Sequence, residues 1–327
     1  MKTKHPDQKM VRLYLGGVTG SSVVCSERYL REYDTPRVVN RPFSRQIFGS
    51  HTTSIGIIVG STGIIVDNGT GVGQVSEWLK AQDVNQVFIF QTHYHLDHIA
   101  GLVTNSFLLR KSVVKGIYGP KLGQFEIAGV MKQLFAPPYW PVSPSMFRIE
   151  HPFISFNPGE TIPIMGGVKT ILLNHAGGSV GYRISTPGGD IVIATDNELS
   201  NGDIRETTAD FIKESAIAYL DVQYRDVEYQ GVQSIGPGNT TLSRKNWGHS
   251  TPSMLQQTYQ LMNDAPRLTL IGHHDPKRPD EDLFKFEGDI TQSLTGLGTR
   301  VVFAKEHDVY ELPYVPALKR GGSVVTA

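Results

Sequence analysis

A single cysteine, Cys25, occurs in the 327-residue chain, so no intramolecular disulfide framework can form and no cysteine-based structural zinc site can be built. Net charge is lacking as well. The 31 Lys and Arg balance 31 Asp and Glu, and a sequence pI of about 7.2 shows none of the basic excess of a nucleic-acid-binding surface. Long apolar runs are missing. Met1 to Met10 is polar and lacks the apolar core of a secretory signal, and no later stretch approaches the roughly 20 residues that span a bilayer. A cytoplasmic protein with no membrane attachment is the expectation. Internal repeats of solenoid length, heptads and low-complexity tracts are lacking too. What is present, 39% hydrophobic and 19% charged residues, suffices for a sizeable core in one large domain or two small ones.

The pattern along the chain alternates strands and helices. Val11 to Leu15, Ser54 to Val59 and Gly63 to Val66 read as strands, the last two joined by a Gly-Ser-Thr-Gly turn into a hairpin. Val75 to Gln82 carries apolar residues at helical spacing, and Gln86 to Phe90 is a short β-branched and aromatic run. Further strands are predicted at Ile171 to Leu173, Tyr182 to Ser185, Asp190 to Ala194, Ala216 to Leu220, Leu268 to Ile271 and Arg300 to Ala304. Ser250 or Thr251 can cap a helix whose first position is Pro252 and which runs towards Met262; Pro279 to Leu294 reads as another. The elements interleave without an obvious linker, so one domain across residues 1–327 is expected, with a loose tail from Lys319. Pro137, Pro138, Pro141 and Pro144 punctuate an aromatic stretch that reads as a loop lining something. Ser26 to Arg45 holds five arginines among three acids, a run that suits a solvated face or contact with anionic groups.

Chemistry concentrates in Thr92-His93-Tyr94-His95-Leu96-Asp97-His98, where four good ligands for a borderline metal follow directly on a predicted strand. Alternation places His93 and His95 on one side of an extended segment, while Asp97 and His98 begin the next turn and can face a second ion. Neither a core nor a surface has a use for such a string as mere structure. Gly177-Gly178-Ser179-Val180-Gly181 fits a nucleophile-elbow pattern, but a strand is expected after Ser179 where the elbow needs a helix. Gly69, Gly71 and Gly73 lack the spacing of a dinucleotide or phosphate loop and read as a turn.

His93 to His98 resembles the H-x-H-x-D-H signature of the metallo-β-lactamase superfamily, and Asp67-Asn68-Gly69-Thr70-Gly71 is similar to its D-x-G-T-G turn. The resemblance implies an α/β (α+β) fold, a four-layer αββα sandwich. It implies a first metal on His93, His95 and His175, a second on Asp97, His98 and His273, and Asp196 bridging them. Two divalent ions, zinc or alternatively manganese, would lie about 3.5–4 Å apart and supply a hydroxide near neutral pH. His274 adjoins His273; distance from the strand favours His273 as the ligand.

Asp221 and Trp247-Gly248-His249-Ser250-Thr251 resemble a pair in the phosphodiesterase branch around ribonuclease Z, where an acid orients a general-acid His. The catalytic set so implied is Asp97, His249 and Asp221. The plainer alternative makes His249 a helix-entry residue. His273-His274-Asp275-Pro276 departs from the ribonuclease Z pattern, and with Tyr224 and Glu228 is more similar to cyclic-nucleotide phosphodiesterases. The expected activity is hydrolysis of a small phosphodiester, most of all a cyclic nucleotide, by a homodimer. The alternatives are a ribonuclease Z-like tRNA 3′ processing endonuclease, a lactonase or thioesterase acting at carbon, and a scaffold without turnover.

Overall fold

The computed structural model describes residues 10–23, 47–109, 113–141, 153–232 and 242–315. Cys25, the arginine-rich segment 26–45, Pro144 and the tail from Lys319 lie outside the described residues. The strands are β1 (Met10–Gly17), β2 (Ser54–Val59), β3 (Thr62–Val66), β4 (Gln86–Phe90), β5 (Val114–Pro120), β6 (Phe153–Phe156), β7 (Thr161–Ile162), β8 (Val168–Leu173), β9 (Ser179–Ile184), β10 (Ile191–Ala194), β11 (Ile217–Asp221), β12 (Leu268–Gly272), β13 (Arg300–Phe303) and β14 (Val309–Pro313). The helices are α1 (Val72–Lys80), α2 (Leu96–Ile99), α3 (Ile127–Leu134), α4 (Gly202–Ile212), α5 (Asp226–Tyr229), α6 (Pro252–Tyr259) and α7 (Asp280–Ser293).

Two sheets form, in the orders β14-β1-β2-β3-β4-β5-β6 and β13-β12-β11-β10-β9-β8-β7. Strand alternation explains how they stack. Leu13, Leu15, Ile57, Ile64 and Val66 of the first sheet share a core with Tyr182, Ile191, Ile193, Ile217, Tyr219 and Leu270 of the second. Their strand neighbours turn the other way. Tyr14, Ile58 and Ile65 join Val72, Val75 and Leu79 of α1 and Ile127 and Val130 of α3. Val192, Ala194, Ala218, Leu220 and Ile271 join Leu255 of α6 and Leu283, Phe286 and Ile290 of α7. Three apolar interlayers therefore separate four layers, helix, sheet, sheet, helix, as the resemblance implies.

Local rules account for the helix starts. In α1, Val72, Val75, Ser76 and Leu79 are buried along one stripe. It starts at Val72, earlier than the apolar spacing alone indicates, because the glycine turn brings the chain straight onto the first sheet: a Cβ on Gly71 would fall 2.3 Å from the Gly16 carbonyl oxygen. Helix α6 has Thr251 as its cap, its Oγ1 accepting from the Met254 N–H, and Pro252 in the first turn. Ser250 is thereby free for another task, donating to the Asn197 carbonyl at 2.5 Å. Ser179 opens β9 and pairs with Leu173, so the elbow pattern is not an elbow. Among the described residues no helix is long and apolar enough to cross a membrane.

Candidate active site

Parallel pairing collects the site. Strands β3 and β4 run parallel, as do β10, β11 and β12, and β8 shares their sense because β8 and β10 are each antiparallel to β9. Their C-terminal ends deliver Asp67, the His93–His98 segment, His175, Asp196, Asp221 and His273 to one edge of both sheets, the edge where α/β folds place their ligands. Asp67, Asp196 and His273 turn there with φ of 60°, 61° and 53°. Such left-handed backbone is unfavourable for residues with a Cβ, and it clusters where function over-determines it.

The predicted ligands come together. His95 Nδ1 lies 3.1 Å from His93 Nε2 and 3.0 Å from His175 Nε2. His273 Nε2 lies 3.3 Å from His98 Nε2 and 3.2 Å from Asp97 Oδ2. Asp196 stands between these groups: Oδ1 is 3.2 Å from His273 and 3.8 Å from His175, and Oδ2 is 3.4 Å from His98. Asp196 Oδ2 is buried without a well-formed hydrogen bond. Imidazole nitrogens facing one another at this spacing fit donors around a cation, since tetrahedral zinc ligands at 2.0–2.1 Å sit roughly 3.3 Å from each other. The cluster is therefore suited to divalent metal.

Burial and charge divide the histidines into two kinds. Burial, reinforced by the neighbouring His98, pushes His93 well below the usual imidazole value. Burial lowers His175 to about 4, against the pull of Asp196. His95 is lowered by burial in the same way. At His98 burial also opposes charge, but the carboxylates of Asp196, Asp97 and Asp67 outweigh it and raise the value well above the usual one. His273 is raised against burial by Asp196 and Asp97. Burial resists ionisation of Asp97 and Asp196, yet His98 and His273 hold both below the carboxylate range.

Outer partners fix the rings. Asp67 sits 2.8 Å from His98 Nδ1 and accepts from the Thr92 N–H at 2.8 Å and from Gln91 Nε2 at 2.9 Å. His98 Nε2 is thus the nitrogen turned to the cluster. The Gly248 carbonyl lies 3.1 Å from His175 Nδ1, and the Ser21 N–H donates to Asp97 Oδ2 at 2.6 Å. His274 points away, its Nε2 2.9 Å from the Ala304 carbonyl and its ring between Phe48 and Phe303. Of the two adjacent histidines, His273 faces the cluster and His274 does not.

Asp221 and His249 pair beside the cluster, with Nδ1 3.0 Å from Oδ2. The Asn197 N–H holds the other carboxylate oxygen of Asp221 at 3.1 Å. The His249 ring lies 4.8 Å from that of His273 and 5.2 Å from that of His175, centroid to centroid. Tyr224 sets its edge to His249 at 5.8 Å. Glu228 does not reach the cluster; it is buried in a pair with Arg278.

Sequence reasoning noticed Asp67 only as part of a turn, and it missed Ser21 and Glu198. Glu198 is 1% exposed and accepts from the N–H groups of Asn246, at 3.1 Å, and Gly248, at 2.8 Å, and from the Tyr229 hydroxyl at 2.6 Å. Backbone donors carry no residue identity, so no motif announces such a role.

Residues 49–232 match the family model described as the metallo-beta-lactamase superfamily. Comparison with curated protein sequences yields no match. Among solved structures, the metallo-beta-lactamase fold protein YhfI from Bacillus subtilis is similar with a TM-score of 0.60 at 14% identity, over 93% of this chain and 99% of that one. A diphosphatase from the PhnP family gives 0.55 at 16% identity, over 93% and 100%. Yeast PDE1 gives 0.59 at 15% identity, over 93% and 99%. These likenesses establish the fold. With the motif, the four layers and the donor cluster all in place, the chain belongs to the metallo-β-lactamase superfamily of metal-dependent hydrolases.

Proposed function

We propose that the protein is a phosphodiesterase acting on a small phosphodiester, with a cyclic nucleotide as the favoured substrate class. The observation that carries this reading is the Asp221–His249 pair, held at 3.0 Å beside the cluster; His249 also lies within reach of His175 and Asp196, but its Nδ1 is taken by Asp221. His93, His95 and His175 would hold one ion, Asp97, His98 and His273 a second, with Asp196 reaching both; histidine-rich sets favour zinc, and manganese is the alternative. When bound, such a pair supplies an activated water and polarises the phosphorus–oxygen bond.

The residues of the chain do the rest. Asp221 occupies Nδ1 of His249, leaving Nε2 as the nitrogen that can give a proton to the departing oxygen. An alkoxide is a poor leaving group, so that proton matters for a diester of an alcohol and far less for an activated ester. Tyr224 sets its edge to His249 and meets the Trp247 ring at 6.3 Å, with the Arg244 guanidinium 5.2 Å from the Tyr224 ring and 5.9 Å from that of Trp247. Trp247 is 45% exposed, and base stacking on such faces suits a nucleotide.

The test is His249→Ala on two substrates. Turnover of a cyclic nucleotide should fall by about 10²–10⁴, turnover of a nitrophenyl phosphodiester much less, and metal content should stay at the wild-type level. Equal losses on both substrates would reject the proton-donor role, and hydrolysis of lactones or thioesters in preference to diesters would reject the phosphodiesterase.

A further inference from the structure

Glu198 is a buried carboxylate that the chemistry above does not use. No salt bridge joins it to a cation among the described residues; its oxygens are occupied by two backbone N–H groups and one tyrosine hydroxyl. Burying a carboxylate is expensive, and hydrogen bonds from neutral donors are what makes it tolerable, the two backbone N–H groups fixing its place. The segment on which it sits is unusual in its reach. Asp196 belongs to the cluster, the Asn197 N–H holds Asp221, and the Asn197 carbonyl and Leu199 N–H both engage Ser250 Oγ, at 2.5 and 3.2 Å. Asn174, beside His175, donates to the Glu198 carbonyl at 2.7 Å. Four consecutive residues thus touch the cluster and both members of the Asp221–His249 pair or their immediate neighbours.

The peptide groups flanking Gly248 are the junction. The Gly248 N–H donates to Glu198 Oε2 at 2.8 Å, and the Gly248 carbonyl faces His175 Nδ1 at 3.1 Å. His249 is the next residue. Only glycine fits between them: φ is 89°, and a Cβ would stand 2.0 Å from His175 Nδ1. Moving the loop away from Glu198 therefore moves the acceptor of His175 and the backbone of His249 in one step.

We infer that Glu198 is a positioning residue which, through the backbone of Gly248, sets His175 and His249 together and so couples the first metal group to the proton donor. The inference rests on the proposed function for the meaning of His249, but its test uses no substrate. Zinc affinity is measured in the full chain by competition with a chelator, and the imidazole ¹H–¹⁵N signals of His175 and His249 are followed in the same samples. In Glu198→Leu both backbone N–H groups lose their acceptor at similar side-chain volume. First-site zinc affinity should fall about 10–100-fold, the usual cost of losing an outer partner, and both imidazole signals should shift. Tyr229→Phe keeps the carboxylate and both backbone bonds, and should leave affinity and signals near wild type. Should Glu198→Leu not fold, Glu198→Asp withdraws the carboxylate from the Gly248 N–H with its charge intact and should give the same pair of changes. Unchanged zinc affinity, or a shift of His175 without one of His249, would overturn the coupling. Failure of the wild type to cleave any phosphodiester would remove the proposed function and leave these readouts standing.

Discussion

Two clusters of ionisable groups in this molecule differ in one respect. Around Arg278, the guanidinium pairs with Glu228 and, at 2.7 Å, with Asp282, while Asp282 also takes Arg225 at 2.8 and 3.0 Å. Arg225 and Arg278 both stand against the ring of Phe286, at 4.7 and 4.6 Å. Opposite charges there meet within the chain. In the cluster at the strand ends, five histidine rings and two carboxylates bring ring nitrogens and carboxylate oxygens within 3.0 to 3.4 Å of one another. The first arrangement sets guanidiniums against carboxylates, with Arg278 Nε left without a hydrogen-bond partner, whereas the second gathers five imidazoles around two carboxylates, a donor set suited to cations. Charge balance is what differs: two guanidiniums meet two carboxylates in the first cluster, and imidazoles outnumber carboxylates in the second.

That contrast can be broken from either side. The largest effect is expected at His273, which stands 3.2 Å from both Asp97 and Asp196. His273→Ala should abolish tight binding at one metal position, a loss greater than the 10–100-fold of an outer partner. His274→Ala should leave metal content unchanged, because its Nε2 is engaged by the Ala304 carbonyl. Metal analysis after dialysis of both variants decides it; the reverse pattern would move the ligand by one residue.

Next in size is Arg278→Met. Removing one partner of a buried ion pair costs about 3–5 kcal/mol, and Arg278 is 1% exposed. Denaturant unfolding should register that loss while metal content stays intact. A stable variant that has lost its metals would show that the two clusters are not separate in function.

A smaller effect belongs to acid. Asp282 is held below the usual carboxylate value, since Arg225 and Arg278 outweigh the opposing effect of burial. A depressed folded value means stability that is fully present above the unfolded carboxylate pKa, about 3.9, and is lost as pH falls through the folded one. Unfolding curves of wild type and Asp282→Asn should therefore differ above about pH 4 and converge below it. A constant difference at all pH values would contradict the ion pairing.

Much of this was legible in the sequence, for physical reasons that also mark where legibility stops. Ser54–Val59 and Gln86–Phe90 are strands at the predicted bounds, because both faces of each strand are largely buried and the apolar run itself marks the length. His93 to His98 could be read because all four candidate donors are local in the sequence and the signal lies in their side chains. The arrival of His175, Asp196 and His273 at the same place depended on resemblance, since nothing local says that β8, β10 and β12 end at one edge. Strand β14 passed unnoticed: it pairs with β1 from the far end of the chain, and its alternation of exposed and half-buried residues leaves no apolar run. Glu198 escaped because its partners are mostly peptide N–H groups. The helix end at Tyr259 fell short of Met262 because the chain leaves the helix in a turn there, with the Met262 N–H donating to the Tyr259 carbonyl.

The central claim is that the donors at the strand ends form two metal positions sharing Asp196, and metal stoichiometry tests it most directly. Wild-type protein saturated with zinc and freed of excess should hold close to two equivalents per chain, and Asp196→Ala should impair both positions together. A wild-type protein that saturates at one equivalent, or an Asp196→Ala variant that loses only one of two ions, would contradict the account.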